Sequence, residues 1–141
     1  MLDLYFLRHG RSKADDEGKH EGRYDSPLTF VGKKQVQKRA SLWREDNLKF
    51  DKIIASPLVR ARETAEIIAK TLACEVESDP DWLEMDNGIL AGLTFAEAQE
   101  KYPKENAISP YARKARGTGE SPWQLHSRAI RALEKVIQLK K

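Results

Sequence analysis

Apolar residues nearly fill the first seven positions, with Leu2, Leu4, Tyr5, Phe6 and Leu7 interrupted only by Asp3, and the run stops at Arg8, His9 and Gly10. A short apolar run with a polar end predicts a buried strand over Leu2 to Leu7. A second run, Lys52 to Ala55, ends at Ser56-Pro57 and predicts a second strand. Beyond it Leu58, Ala61, Ala65, Ile68, Ala69 and Leu72 recur at helical spacing. Ser56 is the expected N-cap of that helix, with Pro57 at its first position. Between the two strands a helix is expected from Pro27-Leu28-Thr29, carrying Val31, Val36, Ala40 and Trp43 as far as the polar break at Glu45 to Asn47. A third short strand is expected near Cys74 to Val76. This alternation argues for an α/β fold with a mainly parallel sheet and right-handed crossovers.

After Asp79-Pro80 the pattern loosens into a loop holding Gly88 and Gly92. A helix then opens at Thr94, where Glu97 three residues on completes a capping box, and Tyr102-Pro103 closes it. A polar, basic loop follows, with Arg113-Lys114-Ala115-Arg116, Gly117 and Gly119. The last helix begins at Ser121-Pro122, with Gln124 as the capping-box partner. Its apolar stripe is Leu125, Ala129, Ala132, Leu133, Val136 and Ile137. Residues 1–141 form one domain on this reading, a length that suffices for a sizeable core.

Composition narrows the function classes. With 40% apolar and 33% charged residues the chain is an ordinary globular sequence, and no stretch reads as a membrane span or an export signal. A cytoplasmic location is the default expectation. The one cysteine, Cys74, is expected to be a small buried side chain. A net charge of +3 invites nucleic-acid binding, but the basic runs alternate with acids and lack zinc-finger spacing or an aromatic RNA-binding stretch, so no nucleic-acid partner is expected. A small phosphorylated substrate accounts for the same charge.

The chemistry lies where strands end. Ligands of parallel sheets bind at the carboxyl ends of strands, and Arg8-His9-Gly10 and Ser56-Pro57-Leu58-Val59-Arg60 both fall there. Neutral imidazole is a nucleophile toward phosphorus and guanidinium grips phosphate oxygens. Arg60 would add its charge to the amides of a helix's first turn. Arg62 is expected to be a solvated helix residue.

These residues resemble the histidine phosphatase superfamily, the phosphoglycerate mutase-like fold. Its members are similar to this chain at Arg8-His9-Gly10, at Asp25 to Gly32, at Ala55 to Ala61 with Thr64-Ala65, at Glu84 to Gly88 followed by Gly92-Leu93-Thr94, and at Gly119-Glu120-Ser121. The resemblance implies a three-layer αβα domain and a metal-independent phosphomonoester hydrolase without cofactor. In it His9 would become a phosphohistidine and Glu84 would act as general acid and then base. Arg8, Arg60 and Ser12 would bind the phosphate.

Two departures carry consequences. The family has a further strand after the last helix, bordering the first strand and ending in a second histidine followed by glycine, whereas this sequence runs only to Lys141. The chain is therefore expected to be truncated relative to the family. Loss of one preorganised donor typically costs about 3 kcal/mol in the transition state, so weak activity, or phosphate binding without turnover, is expected. His126, in the last helix, and His20, in the charged loop Asp15 to Glu21, are expected to be structural and surface residues. The exposed edge of Leu2 to Leu7 would call for a cover, such as a homodimer. Asp15 stands six residues after His9, where many members have an asparagine that contacts phosphate, and its carboxylate would repel the ligand.

Overall fold

The computed structural model of the chain describes residues 2–104, 109–115 and 117–139. Residues 105–108, Arg116 and 140–141, which belong to the anticipated basic loop and the chain end, lie outside them. The order is α1 (Lys13–Glu17), α2 (Phe30–Glu45), β1 (Ile53–Ala55), α3 (Val59–Leu72), β2 (Val76–Ser78), α4 (Phe95–Lys101) and α5 (Pro122–Gln138). Single 3-10 turns occupy Pro80–Trp82, Gly88–Leu90 and Pro110–Ala112.

Capping chemistry sets most helix starts. Thr94 and Ser121 cap α4 and α5 in the expected capping boxes. Thr29 caps α2 by accepting from the Gly32 amide. The α3 start differs from expectation: the helix begins at Val59, and Ser56 Oγ accepts from the Leu58 amide instead of capping it. Asp25, from a distant loop, takes that role by accepting from the Val59 amide at 2.7 Å.

Helices α2 and α3 pack on one another, and α3 lies against β1 and β2. Leu28, Val36, Ala40 and Ile68 are buried between them, with Trp43, Ile53, Ile67 and Leu72 packed alongside. Strands β1 and β2 pair in parallel, Ile53 opposite Val76 and Ala55 opposite Ser78, so the third expected strand falls two residues later than its pattern suggested.

Leu2 to Leu7 forms no strand, contrary to the expectation from its apolar run. Among the described residues its backbone makes no hydrogen bond with another backbone group, because no strand lies beside it. Side chains hold the segment: Tyr5 packs edge-on against Trp43 and Phe50, while Phe6 contacts Trp82. A cavity of about 360 Å³ separates residues 3–9 from β1, with Leu133 and Val136 of α5 also on its wall. The sheet among the described residues thus has two strands. Apposed strand ends do not bring Arg8-His9-Gly10 to Ser56 and Arg60; side-chain packing does.

Candidate active site

Gly10 fixes where His9 sits. Its amide donates to Thr64 Oγ1 at 3.1 Å, and a Cβ there would meet the Gly32 carbonyl oxygen at 2.7 Å and Val36 Cγ2 at 2.8 Å. Only glycine lets the chain pass this close to the first turn of α2. His9 Nδ1 lies 2.7 Å from the Gly10 carbonyl oxygen. A carbonyl can only accept, so Nδ1 carries the proton, and in the neutral ring Nε2 keeps its lone pair. Arg60 Nε donates to that Nε2 at 3.3 Å across a sequence separation of 51 residues.

Arg60 projects from the first turn of α3 and is 1% exposed. Its Nη1 donates to the Tyr24 carbonyl at 3.1 Å, and its Nη2 donates to the Gly22 carbonyl at 2.9 Å and to Glu84 Oε2 at 2.6 Å. The rigid fork therefore ties the 20–25 loop to the loop bearing Glu84 and faces His9 with Nε. A phosphate oxygen that reaches Arg60 must share the guanidinium with Glu84.

Glu84 follows the 3-10 turn Pro80–Trp82, and its side chain is about half exposed. Arg128 of α5 secures its backbone by donating to the carbonyls of Asp81, Leu83 and Glu84. Arg8, His9, Arg60 and Glu84 all line the cavity beside β1. The structure thus brings together these four of the five residues expected at the site.

Arg8 is exposed and its Nη2 donates to Asp15 Oδ1 at 3.1 Å. Burial raises the Asp15 carboxyl's pKa, but bonds from the Ser12 amide and from Arg8 outweigh it, and the net shift is downward. Ser12 is placed differently from the phosphate donor expected of it. It is fully buried as the N-cap of α1, where Oγ accepts from the Asp15 amide and donates to Glu21 Oε1 at 2.5 Å. Its one hydroxyl proton is already committed.

Glu21 had no role in the sequence reading, yet it is buried beside His9. Its Oε2 lies 3.5 Å from His9 Nε2 and its Oε1 lies 3.5 Å from Arg60 Nε. The ligand atoms of His9, Glu21 and Glu84 fall within 4.8 Å of one another, a grouping that could hold a metal ion. The Arg60 guanidinium, bonded to Glu84 and close to Glu21, puts fixed positive charge in the same space. The other histidines are engaged elsewhere. His20 is half-buried with its ring edge-on to Phe95, rather than on the surface as expected, and His126 stacks on Trp123.

In this α/β domain a histidine, two arginines and a glutamate line one cavity beside the end of a parallel strand, and guanidinium groups are able to grip an oxyanion. The family model of the histidine phosphatase superfamily (branch 1) matches residues 4–141, and the chain belongs to that family. It is 34% identical to the probable phosphoglycerate mutase GpmB of Proteus mirabilis over 141 residues, covering 99% of this chain and 65% of that protein. With the protein of the same name from Cronobacter sakazakii it shares 42% identity over 108 residues, 74% of this chain and 49% of that one.

The alpha-ribazole phosphatase from Shigella flexneri superposes with a TM-score of 0.83 at 23% identity, covering 95% of this chain and 66% of that chain. A mycobacterial glucosyl-3-phosphoglycerate phosphatase in complex with VO3 gives 0.81 at 23% identity, covering 94% and 63%. These two establish the phosphoglycerate mutase-like fold. The chain spans about 65% of the length of the Proteus relative.

Proposed function

We propose that this chain carries the nucleophile, phosphate clamp and general acid of a phosphomonoester hydrolase that works through a phosphohistidine. The observation that carries the reading is the state of His9: Nδ1 spends its proton on the Gly10 carbonyl, so Nε2 keeps its lone pair, which accepts from Arg60 Nε at 3.3 Å and is freed for attack when a phosphoryl oxygen takes that donor, in a ring that lines the cavity with Arg8, Arg60 and Glu84. Nε2 attacks phosphorus and the P–O ester bond breaks. Arg60 and Arg8 neutralise charge on the transferring oxygens, while protonated Glu84 hands its proton to the leaving alkoxide. Water then attacks the phosphohistidine, Glu84 takes a proton from it, and the P–N bond breaks to release phosphate. No step in this scheme calls for a metal or an organic cofactor.

Names of relatives and fold neighbours include both mutases and phosphatases. Hydrolysis is the reading favoured here, because the sequence lacks the long insertions that resemble those of sugar-phosphate mutases. Turnover by this chain should be weak, since His20 and His126 are held against Phe95 and Trp123 instead of beside His9. A second reading, a family member that binds a phosphorylated ligand without turnover, draws support from the Glu84 carboxylate being taken up by Arg60.

Hydrolysis of a chromogenic aryl phosphate in the presence of a chelator, measured beside His9→Ala, tests the proposal. Release that depends on His9, with a phosphohistidine trapped at His9 after an acid-free quench, is the expected result. Equal rates for the two proteins would sink it.

A further inference from the structure

The mechanism proposed above gives no task to the buried ionisable group beside His9. Glu21 is almost sealed from solvent, and its two carboxylate oxygens have different surroundings. Oε1 accepts the Ser12 hydroxyl proton and stands 3.5 Å from Arg60 Nε. Oε2 receives no hydrogen bond among the described residues and faces His9 Nε2 at 3.5 Å. His9 Nε2 is the atom that attacks phosphorus in the proposed reaction, so Oε2 borders the place where a phosphoryl oxygen would sit.

Every group around this position can be named. Arg60 from α3 and His9 from the N-terminal segment face Glu21, and Glu84 reaches the same space from its own loop. Ser12 donates to Oε1, and Asp15 of α1, which accepts from the Ser12 amide, pairs in turn with Arg8. Arg60 attracts an oxyanion. A carboxylate oxygen is an acceptor only and repels an oxygen that has no proton to offer.

We infer that Glu21 is a specificity-determining residue that selects phosphoryl groups bearing a P–OH, which donates its proton to Oε2. The inference rests on the reading of the space at His9 Nε2 as a phosphate site. The substrate class it defines is the singly protonated phosphomonoester, which predominates below about pH 6, the second ionisation of such esters. The unprotonated dianion meets Glu21 as a like charge with no bond to compensate.

Inorganic phosphate and sulfate isolate this one proton. At about pH 8 the two are tetrahedral dianions of similar size, but phosphate retains a P–OH and sulfate has none. Titration calorimetry of the full chain with each anion should show phosphate bound at least about tenfold more tightly, the equivalent of one unpaired buried acceptor. In Glu21→Gln the amide can donate to either anion, and the ratio should fall toward one. A ratio near one in the unsubstituted protein overturns the inference even if the variant fails to fold, and so does a preference that survives in Glu21→Gln. Both of those outcomes leave the phosphate site standing. Absence of binding by either anion overturns the site and the inference together. For aryl phosphate hydrolysis, the same substitution should lower KM above pH 6 with a smaller change in kcat.

Discussion

Arg128, on the last helix, donates to the Glu84 carbonyl at 3.3 Å, although 44 residues separate the two in sequence. The same guanidinium holds the carbonyls of Asp81 and Leu83 and pairs with Glu120 at 2.6 Å, all with Arg128 nearly buried. The loop carrying the candidate acid therefore takes its position from α5. Arg128→Ala would take the Arg128 donors from three carbonyls and leave a shielded Glu120 carboxylate with only the Asp86 amide and no paired cation, and loss of one member of such a pair costs about 3–5 kcal/mol. Urea denaturation should register that loss. Arg128→Lys, which keeps charge but not the fork, should recover only part of it.

The pair also sets an acid limit on stability. A hydrogen bond from Arg128 is the largest influence on Glu120 and, against some burial, holds its pKa below the usual 4.5. A carboxylate depressed in the folded state adds stability above its unfolded pKa, and that stability is lost as pH falls through the folded value. Asp15 and Glu63 are shifted in the same direction. Melting temperature should stay level from neutral pH down to about pH 5 and drop below pH 4.5, and Glu120→Gln should flatten that drop.

Signals local in sequence were legible, and those that depend on a partner were not. Thr94 with Glu97 and Ser121 with Gln124 announced two helices because a capping box needs only four residues to satisfy its donors. The same arithmetic could have found α1, where Ser12 and Asp15 form a capping box and Gly18 takes the left-handed closing position, but a five-residue charged helix has no apolar stripe to reveal it. The strand expected at Leu2 to Leu7 failed because a ladder needs a neighbour. Arg8, His9, Arg60 and Glu84 were named as a set through family resemblance; the strand-end argument joined Arg8 and His9 to Arg60, but on a first strand that does not form. Glu21 was not, since nothing in a run of charged residues marks the one that folding buries.

The unpaired N-terminal segment gives a direct prediction. Among the described residues, amides from Leu4 to Leu7 have no acceptor on another part of the backbone, whereas Gly10 N–H is buried against Thr64. Hydrogen exchange in dilute protein should proceed rapidly from Leu4 to Leu7 and slowly at Gly10. If two copies cover each other's edges, protection of Leu4 to Leu7 should rise with protein concentration. Slow exchange at all concentrations would mean the segment finds a strand partner within one chain.

Gly32 tests the packing that positions His9. A Cβ there would fall 2.1 Å from the Arg11 carbonyl oxygen and 2.8 Å from the Arg11 nitrogen, both backbone atoms that cannot step aside without moving the chain next to Gly10. Gly32→Ala should therefore destabilise the fold by about 1–3 kcal/mol through overpacking. Any His9-dependent hydrolysis should also fall beyond what the unfolded fraction explains. Gly117, whose added Cβ would meet nothing within 4 Å, has a φ of +73° and provides the contrast. Gly117→Ala should lower the melting temperature through backbone strain while leaving kcat per folded molecule unchanged.

Arg60→Lys separates charge from geometry at the clamp. One ammonium cannot reproduce the guanidinium's bonds to the Tyr24 and Gly22 carbonyls, Glu84 and His9 Nε2. The buried Gly22 carbonyl would lose its donor, at about 1–3 kcal/mol by the cost of leaving a buried acceptor unpaired, and the part-buried Tyr24 carbonyl would lose one at a smaller cost. If Arg60 also holds the transferring phosphoryl group, kcat should fall by about 10²–10³, the effect of removing one preorganised donor. A purely structural arginine predicts a lower melting temperature with kcat per folded molecule intact. Measuring both on the same preparation decides between them, and a drop in kcat at a temperature where the variant is fully folded assigns Arg60 to the clamp.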